Sequence, residues 1–248
     1  MSEPENTSKS AVIVGVGPPR GLGAALARRF AREGFRVTVL GRSAEKLRAT
    51  EEDLAARGTP VHAVVGDVTD ESQVRQVVAG ADLPEAPLDC AIFNAGNNWP
   101  KPFLEMDAAF LETMWRTNAL AGFLFASAAL RQMLPRKRGS LLFTGATASL
   151  RGRAKYGGFA QAKAALRALA QSAAREFGPQ GIHVAHVIVD GVIDGDRIHK
   201  LLPDLKAQRG EDGLLDPDAI ADNFWNLHAQ PRSAWTHELD LRPWVETW

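Results

Sequence analysis

The sequence predicts an α/β fold in which helices cover both faces of one doubly wound parallel sheet of about seven strands. Strand and helix patterns alternate along the 248 residues, as they do in a chain built of βαβ units. The strand segments are nearly continuous apolar runs, which is typical of strands buried on both faces. No linker or shift in composition divides the chain. We therefore predict a disordered N-terminal segment, 1–10, followed by a single domain, 11–248.

The individual elements follow from the spacing of apolar residues. Apolar or β-branched runs predict strands, and apolar residues three or four positions apart predict the helices between them. The predicted strands are Ala11–Val16, Arg36–Leu40, Val61–Val65, Leu88–Phe93, Ser140–Thr144, His183–Val189 and Thr236–Leu241. The predicted helices are Gly21–Glu33, Ser43–Arg57, Asp70–Ala79, Met106–Leu134 in one or two pieces, Gly157–Phe177, and a last helix that Asp216 caps and Pro217 begins.

The composition argues against several classes of protein. The chain has 29 basic and 29 acidic residues, a balance that does not indicate nucleic-acid or membrane-surface binding. The single cysteine, Cys90, lies in an apolar run and is predicted to be a buried structural thiol. The polar N-terminus does not resemble a signal peptide, and the longest uncharged stretch, Asn118–Leu130, is too short to span a bilayer. We expect a cytoplasmic protein that acts on a small molecule.

A glycine-rich turn, Gly17-x-x-x-Gly21-x-Gly23, connects the first predicted strand and helix. Glycines at this spacing serve a tight turn, a close approach of backbone to phosphate, and close packing of helix on strand. The helix that begins at Gly21 and Leu22 directs its free N–H groups and positive dipole end into the turn. The context predicts a Rossmann-like nucleotide site; the alternative is a βα turn that binds nothing.

Two arginines indicate which dinucleotide the turn would hold. Arg42 follows the second strand, and Arg20 lies within the glycine turn. A basic residue at the end of the second strand accommodates the 2′-phosphate of NADP, whereas an acidic one favours NAD. Two guanidinium groups also suit the bidentate geometry of a phosphate. We predict NADP(H) over NAD(H); the alternative is that Arg42 merely starts a surface helix.

Polar and small residues follow the next two strands. Asp67 and Val68 follow the third strand, where the carboxylate could accept from an adenine amino group or cap the next helix. Asn94-Ala95-Gly96 follows the fourth strand. Small residues there let the backbone approach a cofactor, and the Asn94 side chain could tie neighbouring strand ends together. Ligands in such sheets bind beyond the carboxyl ends of the strands.

These motifs together resemble the short-chain dehydrogenase/reductase family. The resemblance extends from about Ala11 to Leu241 and includes the glycine turn, Asp67-Val68, Asn94-Ala95-Gly96 and Thr117-Asn118. Phe159-Ala-Gln-Ala-Lys163 lies where the family has Tyr-x-x-x-Lys. The resemblance implies hydride transfer at nicotinamide, with Asn118 supporting a proton-relay water and Lys163 binding the nicotinamide ribose. It also implies a homo-dimer or homo-tetramer formed through the helices that carry Asn118 and Lys163.

The chain departs from this family at the groups that handle the proton. The resemblance places Phe159 at the position of the tyrosine acid/base and Ala146, thirteen residues earlier, at that of the serine. Neither side chain can donate or accept a proton, and the loss of positioned acid/base help costs roughly 10²–10⁴ in rate. We predict an oxidoreductase with an altered catalytic site. The alternative from another class is a catalytically silent NADP(H)-binding or sensing protein.

Two hydroxyls are candidate substitutes for the missing groups. Thr147 is one residue past Ala146, and Tyr156 precedes Lys163 by seven positions. In a helix this spacing places the two residues on the same face, about 10.5 Å apart along the axis. Tyr-x-x-x-x-x-x-Lys resembles the enoyl-thioester reductases of the same family, which gives a third reading of the function. The alternative for Tyr156 is a helix-entry residue that packs on the surface.

The C-terminal part carries weaker signals. Gly191 and Ile193 follow the sixth strand, where the family contacts the nicotinamide carboxamide; the neighbouring Asp190 and Asp194 are interpreted as turn residues. Residues 194–216 correspond to the family's substrate-capping segment. His183 and His186 lie three apart on a strand and therefore face opposite sides, so we predict no shared metal. The tryptophans of the tail are expected to anchor a subunit interface, with an intrachain cluster as the alternative: Trp225, Trp235, Trp244 and Trp248.

Overall fold

A computed structural model describes residues 8–247, so Met1–Thr7 and Trp248 lie outside the described residues. Its seven parallel strands form one sheet in the order β3-β2-β1-β4-β5-β6-β7, which confirms the predicted fold class. The strands are β1 (Ser10–Val14), β2 (Arg36–Gly41), β3 (His62–Val65), β4 (Leu88–Phe93), β5 (Gly139–Thr144), β6 (Ile182–Val189) and β7 (Glu238–Leu241). The sheet begins one residue earlier than predicted, because Ser10 pairs with Arg36 of β2 and Leu88 of β4.

Nine helices connect and cover these strands within residues 8–247. They are α1 (Leu22–Arg32), α2 (Ala44–Ala56), α3 (Glu71–Ala81), α4 (Ala108–Trp115), α5 (Ala121–Met133), α6 (Gly157–Phe177), α7 (Asp196–Leu201), α8 (Leu205–Arg209) and α9 (Pro217–His228). Asp216 caps α9 as predicted, because its carboxylate accepts from the backbone N–H groups of Asp218 and Ala219. The short helices α7 and α8 were not predicted. No helix of the described chain has the length and apolar character that crossing a membrane requires.

Each face of the sheet has its own hydrophobic core. On one face, α3, α5 and α6 cover side chains such as Val12, Val14 and Phe93. On the other face, α1, α2 and α9 cover the alternate side chains, such as Ile13 and Val39. Because successive strand side chains point to opposite faces, apolar residues at every position are buried on both sides. Cys90 is fully buried in this sheet, as predicted.

The predicted helix Met106–Leu134 is one continuous rod with an irregular turn at its centre. Helices α4 and α5 are joined by a π-helical turn, Arg116–Leu120, and the backbone stays helical across both junctions. A π turn inserts an extra residue into the hydrogen-bond ladder and is frequent at functional sites. Asn118 lies within this turn, at the point where the rod passes the carboxyl ends of the strands.

Two of the four tryptophans of the tail make the intrachain contacts that were the alternative to a subunit interface. Trp225 packs edge-on against Phe30 and Phe35 of the same chain. Trp235 stacks on His183 with a 4.9 Å centroid separation. These contacts form the intrachain cluster that was the alternative. Trp244 is 79% exposed, and Trp248 lies outside the described residues.

The strand order reverses between β1 and β4. The chain moves outward from β1 to β2 and β3, then returns to continue from β4 in the opposite direction. Such a switch point leaves a crevice at the carboxyl ends of the two central strands, where ligands of doubly wound sheets bind. Most candidate residues of the sequence follow the strands β1 to β6 and therefore lie along this one edge, whereas Asn118 and Lys163 lie on helices.

Candidate functional site

The turn between β1 and α1 forms an open cradle. Gly21 is the N-cap of α1, so no side chain caps this helix end, and the first turn from Leu22 contains no acidic residue. A side chain at Gly17 would meet no atom within 4 Å. The helix N-terminus therefore presents backbone N–H groups and a positive dipole end beside open space, the arrangement that binds anions.

Two other glycines keep this cradle closely packed. A Cβ on Gly23 would lie 2.9 Å from the Val16 Cα, so its absence lets α1 approach the end of β1. This is the packing role predicted for the third glycine of the turn. Gly15 has φ +84°, and a Cβ there would lie 2.4 Å from the Ala95 nitrogen. The loop after β4 therefore contacts the end of β1 backbone to backbone.

The two arginines lie at the exposed edge of the cradle. The Arg20 side chain is 61% exposed, and its Nε is 4.0 Å from a carboxylate oxygen of Asp196. Arg42 directly follows β2 and is exposed, and it makes no ion pair within residues 8–247. Ser43, not Arg42, caps α2 by accepting from the Lys46 N–H. Both arginines thus lie beyond the ends of adjacent strands, β1 and β2, and the 4.0 Å contact between Arg20 and Asp196 is their one ion pair within residues 8–247.

Asp67 does not cap the following helix. Asp70 is the N-cap of α3, whereas Asp67 Oδ1 accepts from both the N–H and the hydroxyl of Thr69. The capping alternative for Asp67 is therefore wrong. Val68 is 7% exposed and belongs to the hydrophobic core beneath the loop. The Asp67 carboxylate is held at the strand end with its second oxygen free of any hydrogen bond to the described residues.

Asn94 joins three strand ends. Its Nδ2 donates to the Gly15 carbonyl at 3.1 Å, and its Oδ1 accepts from the Thr144 hydroxyl at 3.1 Å. The side chain thus ties the carboxyl end of β4 to those of β1 and β5, which is one of the two roles expected of it. Ala95 is buried, whereas Gly96 is exposed. Gly96 borders two site residues, since a Cβ there would lie 2.6 Å from Asn118 Oδ1 and 3.5 Å from Lys163 Nζ.

The Asn118 side chain is fully buried, and its amide nitrogen is hydrogen-bonded whereas its amide oxygen is not. Its Nδ2 donates to the carbonyl of Met114 and to Asn97 Oδ1, each at 2.9 Å. Its Oδ1 accepts no hydrogen bond from the described part of the chain. A buried unpaired acceptor is costly, and it indicates a water or ligand donor at that position. This acceptor faces Gly96 and the Lys163 ammonium.

Lys163 is buried in α6 and directed at the end of β5. Its Nζ donates to the Thr144 carbonyl at 2.8 Å. Burial lowers the pKa of Lys163 from 10.5 to about 8. Phe159, one helical turn earlier, lies with its ring centroid 5.9 Å from Nζ. The group beside the ammonium is thus a phenyl ring, which stabilises the cation weakly and carries no proton to exchange.

The loop after β5 contains a hydroxyl bound to a buried carboxylate. Ala146 has no polar side chain, but the hydroxyl of Thr147 donates to Asp190 Oδ1 in a short hydrogen bond. Asp190 is 1% exposed, and its other oxygen lies 3.4 Å from Arg242 and 3.6 Å from Arg151. Interpreting Asp190 as an ordinary turn residue is therefore wrong. Its carboxylate bridges the end of β6 to the Thr147 loop.

A second buried chain of hydrogen bonds connects the loop after β5 to β6 and β7. The Ser149 hydroxyl accepts from the Ala146 N–H at 3.2 Å and contacts His186 Nε2 at 3.3 Å. His186 Nδ1 contacts Glu238 Oε2 at 3.1 Å, and Glu238 receives two hydrogen bonds from Arg167. Burial lowers the pKa of His186 to about 4, so the ring is neutral and donates from Nδ1. Because this chain joins α6, β6 and β7, it holds Thr147 and Lys163 in fixed relation.

Tyr156 lies at the entrance of α6 rather than within it. It is the N-cap residue, with non-helical backbone angles of φ −110° and ψ 19°. Its side chain is half-buried, and its hydroxyl forms no hydrogen bond with residues 8–247. Its carbonyl accepts from the Ala160 N–H at 2.8 Å, the first hydrogen bond of the helix, so Tyr156 begins the helical path that leads to Lys163. The helix-entry alternative describes its position.

The segment after β6 is folded back over the site. Gly191 and Ile193 are half-buried. The carbonyls of Val192 and Ile193 accept from Leu215 and Gly195, respectively, so any contact to a carboxamide would come from their N–H groups. In the segment 194–216, Asp194 binds both His199 and Lys206. Arg197 donates to Asn98 Oδ1 at 2.6 Å, which links this segment to the loop after β4.

The two histidines of β6 have separate partners. His183 Nε2 contacts the Thr236 carbonyl at 2.9 Å, while His186 contacts Ser149 and Glu238. Within the described residues, no three His, Cys, Asp or Glu side chains are grouped so as to hold a metal.

Sequence reasoning missed Asp190 and its two arginine partners. The signal that could have indicated Asp190 is its position, directly after an apolar strand whose neighbours end at the candidate site. Arg151 and Arg242 carry no such signal, because one lies in an irregular loop and the other follows the last strand. Only the folded chain brings them to the same carboxylate.

Comparison with known proteins gives a consistent set of relatives. A family model described as short chain dehydrogenase matches residues 9–205. Gluconate 5-dehydrogenase of Gluconobacter oxydans is 31% identical over 185 residues, covering 74% of this chain and 72% of that protein. A Xanthobacter autotrophicus protein named inactive 2-(S)-hydroxypropyl-CoM dehydrogenase 2 is 32% identical over 192 residues, covering 74% of this chain and 81% of that protein.

Solved structures share both the fold and part of the sequence. A short-chain dehydrogenase from Rhodopseudomonas palustris superposes with a TM-score of 0.78 and 38% identity, covering 94% of this chain and 99% of that one. A metagenomic short-chain oxidoreductase in complex with NADP gives a TM-score of 0.80 and 27% identity, covering 96% and 99%. The similarity thus extends over nearly the whole of each chain.

Proposed function

The chain belongs to the short-chain dehydrogenase/reductase family of oxidoreductases, and from this premise we propose that it transfers hydride between NADP(H) and a small alcohol or ketone. The observation that carries the proposal is the cradle at the start of α1. The helix end has no side-chain cap and no acidic residue in its first turn, and Gly17 borders open space. Unsatisfied N–H groups and a positive dipole end fit the pyrophosphate of a dinucleotide.

The preference for NADP(H) rests on the two arginines. Arg20 and Arg42 are exposed beyond adjacent strands; Arg42 has no ion pair in the described residues, and Arg20 has only the 4.0 Å contact with Asp196. A dianionic 2′-phosphate would provide charge-assisted partners for both. The metagenomic relative was solved with NADP, and we extend that cofactor to this chain as part of the proposal.

Lys163 and Asn118 serve the nicotinamide end of the proposed site. When bound, the nicotinamide ring supplies or accepts the hydride. Lys163 Nζ, whose one protein acceptor in the described residues is the Thr144 carbonyl, would donate its remaining hydrogens to ribose hydroxyls. The unpaired Asn118 Oδ1 would accept from a water or from the substrate. Gly96 leaves the space between them unfilled.

Proton transfer in this site has to use a group other than residue 159. Phe159 occupies the position beside the Lys163 ammonium where the family pattern has its tyrosine, and Ala146 occupies the serine position. Thr147 is the nearest hydroxyl in sequence, and its side chain is partly exposed. We assign the substitute role to Thr147 rather than to Tyr156, because the Thr147 hydroxyl is paired with the buried carboxylate of Asp190, whereas the Tyr156 hydroxyl forms no hydrogen bond with residues 8–247.

A catalytically silent NADP(H)-binding protein is the second candidate. The observation that favours it is the phenyl ring of Phe159 beside Lys163, and one similar protein is itself named inactive. In this reading the cofactor cradle is retained for sensing or binding, and the proton-handling groups have no task.

The helical rod that carries Asn118 is also the proposed subunit interface. Large apolar side chains on this rod are exposed at Leu111, Trp115 and Phe123. Several large exposed apolar side chains on one element are typical of a protein–protein contact. We propose a homo-dimer or homo-tetramer through this face, which light scattering of the wild type and of Phe123→Glu would test. The cytoplasmic location stays a prediction.

The function is tested by separating binding from turnover. NADP⁺ and NADPH binding is measured by titration, and turnover is measured with a panel of cyclohexanol, D-gluconate, their ketones and an enoyl-thioester. Alcohol or ketone turnover supports the oxidoreductase. Tight binding without any turnover supports the silent protein, and enoyl turnover that Tyr156→Phe abolishes supports the third reading. Failure to bind either form of the cofactor contradicts the proposal.

A further inference from the structure

We propose that Thr147 and Asp190 form a proton relay that selects an alcohol, rather than a ketone, as the hydrogen-bond partner of the site. The alcohol hydroxyl donates to Thr147 Oγ1, and the Thr147 proton is held by Asp190. The proposal rests on the proposed function, since it names the substrate class and the general base of the same site.

The Asp190 carboxylate is built into the protein as a charged acceptor. It is 1% exposed, which would be prohibitive for an uncompensated charge. Compensation comes from Arg242 at 3.4 Å and Arg151 at 3.6 Å, both on the side of Oδ2. Oδ1 accepts the hydroxyl of Thr147. Oδ2 receives no hydrogen bond from the described residues, so the two guanidinium groups compensate the charge by ion pairing, and the Thr147 bond sets the direction of Oδ1.

The hydrogen bond to Asp190 fixes the polarity of Thr147. A hydroxyl has one proton to donate and two lone pairs that accept. An ionised carboxylate can only accept, so the single proton of Thr147 is committed to Asp190. To any further partner, Thr147 can therefore offer only a lone pair. An alcohol O–H satisfies that lone pair, whereas a ketone oxygen facing it would be left without a donor.

Thr147 is the accessible hydroxyl among the three in its loop. Thr144 and Ser149 are 8% and 4% exposed, and their hydroxyls are engaged with Asn94 and with His186, respectively. Thr147 is half-buried and follows Ala146 directly. Of these three residues, Thr147 is therefore the one that a substrate can approach. Its hydroxyl donates to the buried carboxylate of Asp190.

The relay balances for oxidation of a secondary alcohol. The C–H bond of the carbinol carbon breaks, and its hydrogen leaves with both electrons as hydride to NADP⁺. The alcohol proton passes to Thr147 Oγ1 while the Thr147 proton passes to Asp190 Oδ1. After the ketone has left, the proton returns from Asp190 Oδ1 through Thr147 Oγ1 to water in the vacated site. The products are the ketone, NADPH and one proton, and the reverse sequence reduces the ketone.

The polarity is tested by equilibrium binding in complexes that cannot turn over. The ligands are the best alcohol–ketone pair from the panel, with the alcohol titrated into the NADPH complex and the ketone into the NADP⁺ complex. Thr147→Val keeps both ion pairs of Asp190 and removes the hydroxyl. We expect it to weaken alcohol binding about tenfold and to leave ketone binding within about twofold, as loss of one hydrogen bond predicts. Weaker ketone binding with unchanged alcohol binding would overturn the proposal.

Kinetics of matched variants tests the relay itself. Thr147→Val and Asp190→Asn should each lower kcat/KM for alcohol oxidation by about 10²-fold or more. Thr147→Ser should retain most of the wild-type kcat/KM. The double variant Thr147→Val/Asp190→Asn should have a kcat/KM close to that of either single variant. Asp240→Asn is the control, because Asp240 is another carboxylate paired with Arg242 but lies exposed on β7. The affinity for NADP⁺ should be unchanged in every variant.

The remaining outcomes distinguish failure of the relay from failure of the proposed function. Thr147→Val with wild-type alcohol oxidation overturns the relay. Wild-type protein that binds NADP⁺ tightly but turns over no member of the panel also overturns it, and leaves the cofactor site standing. Wild-type protein that binds neither form of the cofactor contradicts the proposed function itself.

Discussion

Phe159 sets the chemistry that the lysine next to it can perform. A tyrosine one turn before Lys163 would share a proton with the bound substrate, with its pKa lowered by the ammonium. The phenyl ring instead lies with its centroid 5.9 Å from Nζ and offers a weak cation–π contact. The position beside the lysine therefore no longer participates in proton transfer, although the lysine itself keeps its place.

Restoring a hydroxyl at residue 159 should raise turnover. Phe159→Tyr, with Ala146→Ser in the same chain, is expected to increase kcat/KM for ketone reduction by about 10²-fold, because a positioned acid contributes on that order. The measurement is NADPH oxidation with the ketones of the panel. Phe177→Tyr, at the far end of α6, is the control. Unchanged turnover in the double variant would mean that Phe159 does not face the substrate.

Lys163 should make the protein less stable than it could be. Its pKa is about 8 in the folded protein and near 10.4 in an unfolded chain. At pH 7 both states are protonated, and the folded state carries the full cost of a buried charge, about 3 kcal/mol. Replacing Lys163 also removes its hydrogen bond to the Thr144 carbonyl, which reduces the resulting gain in stability by about 1 kcal/mol.

Lys163→Met should therefore stabilise the fold at neutral pH. We expect its free energy of unfolding to exceed the wild-type value by about 2 kcal/mol at pH 7. Between pH 8 and about 10.5 the unfolded lysine binds more protons than the folded one, so wild-type stability rises and the difference shrinks. Urea unfolding across this pH range measures it. A difference that is absent at pH 7 or that grows with pH would contradict the assignment of a buried lysine.

Caps define several of the helices, and their sequence signals are local. Asp216 accepts from two N–H groups at the start of α9, and Asp218 in the same turn pairs with Arg28 of α1. A short polar side chain followed by proline was sufficient to predict this start. The π turn Arg116–Leu120 has no comparable signal, because an inserted residue changes the hydrogen-bond ladder without changing the apolar pattern.

Removing the cap of α9 should cost stability without changing cofactor binding. Asp216→Ala is expected to lower the free energy of unfolding by about 1 kcal/mol, since two N–H groups lose their acceptor. Asp204→Ala is the matched control, because Asp204 is the N-cap residue of α8 but its side chain accepts no capping hydrogen bond. Equal losses in the two variants would show that the cap does not account for the effect.

The sequence indicates the parts of the candidate site that carry a local pattern or a motif of the family. The glycine turn, the strand ends at Asp67 and Asn94, and Lys163 could all be located from local patterns and the family resemblance. The Thr147–Asp190–Arg242 contacts could not, because they join β5, β6 and the chain after β7. Such contacts depend on register and loop path, which the apolar pattern does not encode. The same limit applied to Trp225, whose partners Phe30 and Phe35 lie near the other end of the chain.

We propose that the glycine cradle at the switch point between β1 and β4 binds a dinucleotide, and cofactor titration tests this claim most directly. We predict that the protein binds NADP⁺ at least about tenfold more tightly than NAD⁺, because charged hydrogen bonds to the 2′-phosphate contribute 1.5–3 kcal/mol, on the order of tenfold or more. Arg20→Ala with Arg42→Ala should remove the preference and spare NAD⁺ binding, whereas Arg48→Ala, on the exposed face of α2, should keep it. Absence of measurable binding to both nucleotides would contradict the account.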